Sequence, residues 1–218
     1  IIAQGFPISI TYGALSFIVA VGVGVSLGIA AAINHNSWLD YFAVSLGIAA
    51  QALPNFVMAP ILIFVFTLQL DLLPGGGWYG GQWQYLIMPV IALSTSFMGS
   101  ISRITRSSML ETLNSNFIRT AQAKGLPTRT IIWRHAMKPA MLPVLSYLGP
   151  VFVAVLTGSV FVDMYFSTGG LGQAYVGSAL QRDYSVLLGV TILYGVLTIT
   201  VNLLTDLAYA WFDPKIRY

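Results

Sequence analysis

The chain alternates between long apolar runs and shorter polar connections. Five runs are long enough to cross the hydrocarbon core of a bilayer, which is about 30 Å thick and takes about 20 helical residues. Lipid offers the backbone no hydrogen-bond partner, so spans of this length must be helical. The predicted spans are Ser9–Ile33, Tyr41–Leu70, Tyr85–Met109, Ala140–Val162 and Ser185–Phe212.

The second run is longer than one straight span requires. It contains Pro54 and Pro60. A proline inside a helix removes an amide donor and clashes with the preceding turn. We therefore expect this helix to tilt, or to break at one of the two prolines.

The connections differ in length and character. Residues 35–37 form a short turn, and residues 71–84 form a glycine-rich turn region with aromatic residues that suit a membrane surface. Residues 163–184 form a further polar loop. The longest connection, Glu111–Pro139, is continuous and basic, and it holds five of the ten Lys and Arg residues of the chain.

The placement of Lys and Arg predicts the orientation. Seven of the ten lie between Arg103 and Lys138, residues 71–84 have none, and residues 163–184 have only Arg182. Lys and Arg are enriched in cytoplasmic loops. We therefore expect the basic loop and the C-terminus to face the cytoplasm. Alternation of the spans then places the first residue outside, so a cytoplasmic start would require an earlier span.

Composition supports membrane residence and excludes several classes of enzyme. The chain is 56% hydrophobic and only 8% charged, whereas soluble domains are about 25% charged. It contains no cysteine, and therefore neither a disulfide nor a cysteine metal site. It also lacks a phosphate-binding loop of the form G-x-x-x-x-G-K-[ST], so any ATP that is used must be bound by another chain. No catalytic or metal-binding residue is predicted.

Two features inside the spans have structural interpretations. Gly24 and Gly28 are four residues apart, a spacing that favours close helix packing rather than nucleotide binding. Asp206 is the one carboxylate inside a predicted span. We expect it to pair with Arg103 or Arg106 near the cytoplasmic surface, and we favour this structural role over proton coupling.

The basic loop predicts a short helix. Ser115 or Asn116 can cap its start, and Gly125 followed by Pro127 can end it. A second helix, Thr130–Met137, is expected after the break.

One face of the short helix is predicted to carry Phe117, Ala121 and Lys124, with Ile118 beside it. The pattern leaves two interpretations open. A rigid helix between two spans can be moved by a protein partner, and a basic helix can also lie on anionic lipid.

The same loop resembles the cytoplasmic motif of membrane subunits of ABC importers, E-A-A-x3-G-x9-I-x-L-P. With Gly125 on the motif glycine, Arg119-Thr120-Ala121 falls on E-A-A and His135-Ala136-Met137 on I-x-L. Arg119 replaces the motif glutamate, and Pro139 comes one residue late. Both departures resemble the dipeptide/oligopeptide permease subclass. The likeness is greatest to the B-type membrane subunits of bacterial oligopeptide permeases.

The likeness extends over most of the chain. It includes four further segments, which are Leu73–Trp78, Arg103–Arg106, Leu142–Leu145 and Asp213–Tyr218.

The resemblance implies an all-α integral membrane fold and a single transmembrane domain over residues 1–218, with a coupling loop at residues 111–139. It implies six spans, of which five lie in this chain and the first is missing. The implied partners are a second homologous membrane subunit, two ATP-binding subunits that hold ATP and Mg, and an extracytoplasmic peptide-binding protein. No cofactor on this chain and no nucleic acid is expected. The implied location is the bacterial inner membrane.

The resemblance also implies that the short helix is a coupling helix that seats in a cleft of an ATPase subunit. The implied docking residues are Ser115, Phe117, Arg119, Thr120, Ala121, Lys124, Gly125, Leu126 and His135.

Polar residues within the spans are candidates for a translocation pathway. For each of them a hydrogen bond between helices is the favoured alternative. These residues are Gln51, Asn55, Ser94, Ser96 and Asn202.

The predicted function is therefore a pore-forming permease subunit of an ATP-driven oligopeptide importer. The alternatives are an importer of the same family for dipeptide, glutathione or nickel, an ion-coupled secondary carrier that would use Asp206, and a membrane scaffold without transport.

Overall fold

The computed structural model describes residues 1–212, and every regular element in that part of the chain is helical. The helices are α1 (Ile2–Ile33), α2 (Trp38–Ala52), α3 (Asn55–Leu62), α4 (Trp83–Leu113), α5 (Asn116–Ala123), α6 (Thr128–Phe166), α7 (Leu171–Gln181) and α8 (Tyr184–Phe212). A π-helical segment, Ile63–Gln69, continues α3, and another, Ile131–Ala136, lies within α6.

Four of the five predicted spans are confirmed as single helices, and the fifth corresponds to a bent pair of helices. Helices α1, α4, α6 and α8 are each long and apolar enough to cross a membrane. The fifth span is the pair formed by α2 and α3 with its π-helical continuation, and it bends by 98° at the break. The predicted ending Asp213–Tyr218 lies outside the described residues.

The second span breaks at Pro54 and not at Pro60. Leu53 has an extended backbone with ψ 110°, as a residue before proline prefers, and Pro54 follows with ψ 149°. Pro60 lies inside α3, where the helix continues into the π-helical segment.

Two predicted boundaries are wrong. The expected second loop helix, Thr130–Met137, is not separate, because α6 runs without interruption from Thr128 through Pro139 to Phe166. The expected loop at residues 163–184 contains α7, an 11-residue helix. Glycines at residues 169–170 suggested a loop, but they lie before the helix.

Close packing of α1 on α4 forms the centre of the bundle. A Cβ atom on Gly28 would lie 2.5 Å from the carbonyl oxygen of Ser102 and 2.6 Å from Cβ of Thr105. At Gly24 it would lie 2.8 Å from the carbonyl oxygen of Met98. The predicted packing role of the two glycines is therefore confirmed.

The polar connections gather at two opposite ends, as alternating spans require. At one end, which we call the coupling-loop end, Ile33 of α1 lines a cavity together with Leu113 and Gln122. At the other, which we call the far end, the amide of Gly77 donates to the carbonyl of Phe166 at 2.7 Å. The glycine-rich turn thus folds onto the end of α6.

Candidate functional site

Helix α5 begins and ends where the sequence pattern predicts. Ser115 is its N-terminal flanking residue, although its hydroxyl donates to the carbonyl of Thr112 at 2.6 Å instead of capping α5. Lys124 follows the last helical residue, and Gly125 has φ +73°, a left-handed conformation that glycine adopts without strain. The chain therefore turns sharply after α5 toward α6.

The inner face of α5 is buried against the ends of three spans. Ile118 is 0% exposed and Ala121 is 7% exposed. They belong to a hydrophobic group that we call the base cluster, and its other buried members are Ala32, Met109, Ile131, Ile132, Ala136 and Ala140. Full burial of one Ile is worth about 1.5–3 kcal/mol. This short helix is therefore held by its own chain, as well as by any partner.

The predicted face of Phe117, Ala121 and Lys124 is divided in the structure. Ala121 points inward with Ile118, three residues away on the same side of the helix, whereas Phe117 is 49% exposed and Lys124 is exposed. Ala121 is covered mainly by this chain itself, and its direct contact with a partner stays a prediction. The apolar pair 118/121 sets the orientation of the helix, and the outer face consists of other residues.

The remaining predicted docking residues are divided between exposed and half-buried positions. Arg119, Thr120 and Gly125 are exposed. Ser115 and His135 are half-buried, and His135 lies on the π-helical part of α6. Leu126 is half-buried and packs against the base cluster.

Two of the predicted pathway residues meet at the break in the second span. The hydroxyl of Ser96 lies 2.8 Å from Oδ1 of Asn55 and 3.1 Å from the carbonyl oxygen of Leu53. The favoured alternative, a hydrogen bond between helices, is therefore confirmed for Asn55 and Ser96. The contact ties α4 to the break.

The other three pathway candidates are scattered. Ser94 is buried, and its hydroxyl donates to the carbonyl of Ile91 in its own helix at 3.2 Å. Gln51 is exposed beside the break, and Asn202 is exposed on α8.

The break itself is exposed. Gln51, Ala52, Leu53 and Pro54 all face outward. The last four carbonyls of a helix have no amide partner within it, and the carbonyl of Leu53 receives a bond from Ser96. Irregular backbone at membrane depth is tolerated only where protein covers it or where it lines a water-filled cavity. A break at membrane depth would therefore need to be covered by protein or to line a water-filled cavity.

A buried ion pair was missed by the sequence analysis. Asp40 is 2% exposed, and Nε and Nη2 of Arg106 donate to its two carboxylate oxygens at 2.6 and 2.7 Å. Nδ1 of His35 lies 3.0 Å from Oδ2, and the amide of Asn36 donates to the same oxygen at 3.0 Å. Asp40 lies between the predicted turn at residues 35–37 and the predicted span that begins at Tyr41, so the sequence pattern gave it no role.

This ion pair corrects the expectation for Asp206. Arg106 is bound to Asp40, and Arg103 is exposed. Asp206 is exposed on α8, and within residues 1–212 it forms no ion pair. Asp206 and the two arginines are therefore separate features.

A second buried carboxylate lies at the far end. Asp163 is 1% exposed, in the last turn of α6. It accepts hydrogen bonds from the Thr168 hydroxyl at 2.5 Å, the Gly172 amide at 3.0 Å, and the Ser9 and Ser159 hydroxyls at 3.4 Å each. These donors come from α1, α6, α7 and the connection before α7. In the sequence, the only sign of this site is that Asp163 and Thr168 lie close to the Gly169-Gly170 pair.

Comparison with known proteins places the chain among transport proteins. Residues 24–218 match the family described as "Binding-protein-dependent transport system inner membrane component". The oligopeptide transport system permease protein OppB of Salmonella typhimurium is 51% identical over 218 residues, which cover 100% of this chain and 71% of that protein. The dipeptide transport system permease protein DppB of Bacillus subtilis is 41% identical over 214 residues, which cover 98% of this chain and 69% of that protein.

Solved structures agree with the fold. A chain of the MetNI methionine ABC transporter in an inward-facing conformation has a TM-score of 0.80 at 14% identity, over 97% of this chain and 96% of that one. A chain of an amino acid ABC transporter with histidines has a TM-score of 0.74 at 16% identity, over 95% of this chain and 92% of that one. At these identities the likeness concerns the fold alone. With the family match and the two permease relatives, it establishes that this chain belongs to the family of binding-protein-dependent transport system inner membrane components.

Proposed function

We propose that this chain is one of two pore-forming membrane subunits of an importer that carries oligopeptides into the cell and is driven by ATP. The observation that carries the proposal is α5, a short helix held on the ends of α1, α4 and α6 with its outer face free. The 51% identity to an oligopeptide permease supports the cargo. Importers of the same family for dipeptides, glutathione or nickel are the alternative.

The outer face of α5 is the proposed docking surface for an ATPase subunit. It consists of Phe117, Arg119, Thr120 and Lys124, all exposed, with an aromatic ring among cationic and polar groups. Aromatic residues and arginine are enriched at protein interfaces. Because the inner face is fixed to three spans through the base cluster, a displacement of α5 would be passed directly to them.

The other subunits of the importer are proposed by analogy with members of the family. They are a second homologous membrane subunit, two ATPase subunits that hold ATP and Mg, and an extracytoplasmic peptide-binding protein. ATP binding changes the relative stability of inward- and outward-facing states, because the partners bind the two states with different affinity. The coupling loop and the C-terminus would face the cytoplasm.

The exposed break between α2 and α3 is the proposed wall of the translocation pathway. Gln51 and the end of α2 present an amide and backbone carbonyls there, and Ser96 fixes the break to α4. Such groups can bind the backbone that all peptides share, which suits a cargo of varied sequence. Discontinuous membrane helices frequently border transport sites in other carriers.

The test is uptake of a labelled oligopeptide into proteoliposomes that contain the whole complex. We expect uptake to require ATP, the ATPase subunits and the binding protein. Uptake without nucleotide, driven by a proton gradient and abolished by Asp206→Asn, would instead establish the secondary carrier. Absence of any flux from an assembled complex would favour the scaffold.

The docking surface has its own test. Thr120→Glu adds a charge to the outer face of α5 without touching the base cluster, so the subunit should fold normally and lose the ATPase on copurification. Ser107→Glu, an exposed position on α4, is the matched control and should retain it. If α5 instead lies on lipid, Arg119→Gln with Lys124→Gln should have the larger effect and Thr120→Glu little.

A further inference from the structure

Helix α2 lies apart from the coupling loop although it leads to the break. Its substantial packing within residues 1–212 is with α1 and α4. The base cluster contains residues of α1, α4, α5 and α6 and none of α2. Movement of α5 therefore reaches α2 through one of its two neighbours.

The interface of α2 with α4 includes two well-separated contacts that hold the helices closely. Near the middle of α2, a Cβ atom on Gly47 would lie 3.5 Å from the carbonyl oxygen of Gly99, so the backbones themselves touch there. At the start of α2, Asp40 pairs with Arg106. Between the two contacts lies a cavity of about 140 Å³, lined by residues that include Ala43, Val44 and Ser102. At the residues that line this cavity the two helices therefore leave space between them.

The ion pair is placed to transmit movement from the base cluster. Arg106 precedes Met109, a buried member of that cluster, by one turn of α4. Its two donors bind both oxygens of Asp40, which fixes direction as well as distance. Asp40 also accepts from the amide of Asn36 and thereby joins α2 to its preceding turn. A shift of the end of α4 therefore carries the start of α2 with it.

We propose that the Asp40–Arg106 pair is a positioning contact of the transport cycle, which tilts α2 about the Gly47–Gly99 contact when the coupling loop moves and so displaces the break at residues 52–55. This inference rests on the proposed function. Residues 40 and 52 lie on opposite sides of Gly47, seven and five residues away. At 1.5 Å per residue the two arms are about 10 and 8 Å long. A displacement at Asp40 consequently reappears at the break with similar size and opposite direction.

The test is the number of ATP molecules hydrolysed per peptide imported by the complete reconstituted complex. Asp40→Asn with Arg106→Gln removes both charges and leaves no buried charge unpaired. We expect this double variant to assemble and hydrolyse ATP, while the ratio of ATP to peptide rises about threefold or more, within the range reported for changes along coupling networks. Arg103→Gln, one turn earlier on the same helix and exposed, is the matched control and should keep the parent ratio.

Each other outcome decides against the inference. A double variant with the parent ratio would mean that the pair transmits nothing. A double variant that fails to assemble while Arg103→Gln assembles would assign the pair to folding alone. A parent complex that imports no peptide with ATP would instead overturn the proposed function. Because the parent complex is measured first, this outcome is distinguished from a failure of the inference.

Discussion

The two ends of the molecule each bury one aspartate, and they hold it in different ways. At the coupling-loop end, Asp40 depends mainly on one cation, Arg106 of a different helix. At the far end, Asp163 has no cation partner within residues 1–212 and is surrounded by hydroxyl and amide donors. The first arrangement joins two elements through a single contact, and the second joins several elements at one point.

The difference assigns different mechanical roles to the two ends. The donors to Asp163 come from α1, α6, α7 and the intervening connection, so α1, α6 and α7 are tied together there. Ser9 adds to this by accepting the amide of Leu171 at 2.8 Å. We therefore expect the far ends of α1 and α6 to move as a unit with α7, and the coupling-loop end to be where α2 and α4 can be uncoupled by changing two residues.

The largest effect is expected at Asp163. Asp163→Ala leaves the buried amide of Gly172 and several hydroxyls without their acceptor, which should cost about 3 kcal/mol of stability. Asp183→Ala is the control, because that exposed carboxylate accepts only the amides of Ser185 and Val186 at the start of α8, and its loss should cost about 1 kcal/mol. Thermal unfolding of the purified complex measures both. Equal losses would contradict the proposed tie at the far end.

A smaller effect is expected from breaking the ion pair on one side. Arg106→Gln leaves Asp40 buried without its cation and should cost about 2 kcal/mol, less than for a fully buried pair because Arg106 is partly exposed. Adding Asp40→Asn should restore most of the stability but not the coupling. A double variant as unstable as Arg106→Gln would show that the single-contact description of this end is incomplete.

Asp206 provides a further comparison with the two buried aspartates. Asp206 is exposed and unpaired within the described residues, so Asp206→Asn should change the unfolding free energy of the isolated subunit by no more than about 0.5 kcal/mol. The dependence of peptide uptake on pH should be the same for the Asp206→Asn complex as for the parent complex. A steep, pH-dependent loss of uptake would revive the ion-coupled carrier.

Labelling can determine which end faces the cytoplasm, with no expected effect on transport. The chain has no cysteine, so single cysteines are unambiguous. Leu180, exposed near the far end, should react with an impermeant thiol reagent in intact cells after Leu180→Cys. Gln122→Cys, exposed at the coupling-loop end, should not. The reverse pattern would invert the orientation and remove the basis for docking a cytoplasmic ATPase.

The spans and the limits of α5 could be predicted because they depend on local pattern. Apolar length predicts a span, and Gly125 before Pro127 predicts a helix end whatever surrounds it. The packing of Gly24 and Gly28 was likewise visible as a spacing of four residues.

The pairings could not be predicted, because they join residues far apart in sequence. Asp40 and Arg106 are separated by 66 positions, and Ser9 and Asp163 by 154. Each aspartate also lies one residue beyond a predicted span, where a loop carboxylate is ordinary. The inward turn of Ala121 depended on the base cluster, whose members come from four helices. The sequence pattern of α5 alone does not show which of its sides the other helices cover.

The central claim is that the outer face of α5, and not its inner face, meets an ATPase subunit. Phe117→Cys and Ile118→Cys give adjacent probes, one exposed and one buried, since Phe117 is 49% and Ile118 0% exposed. With a short cross-linker in the assembled complex, Phe117→Cys should join this chain to the ATPase and Ile118→Cys should not. Thr120→Cys should behave like Phe117→Cys. Efficient cross-linking from position 118 with none from 117 and 120, in complexes that hydrolyse ATP, would contradict the account.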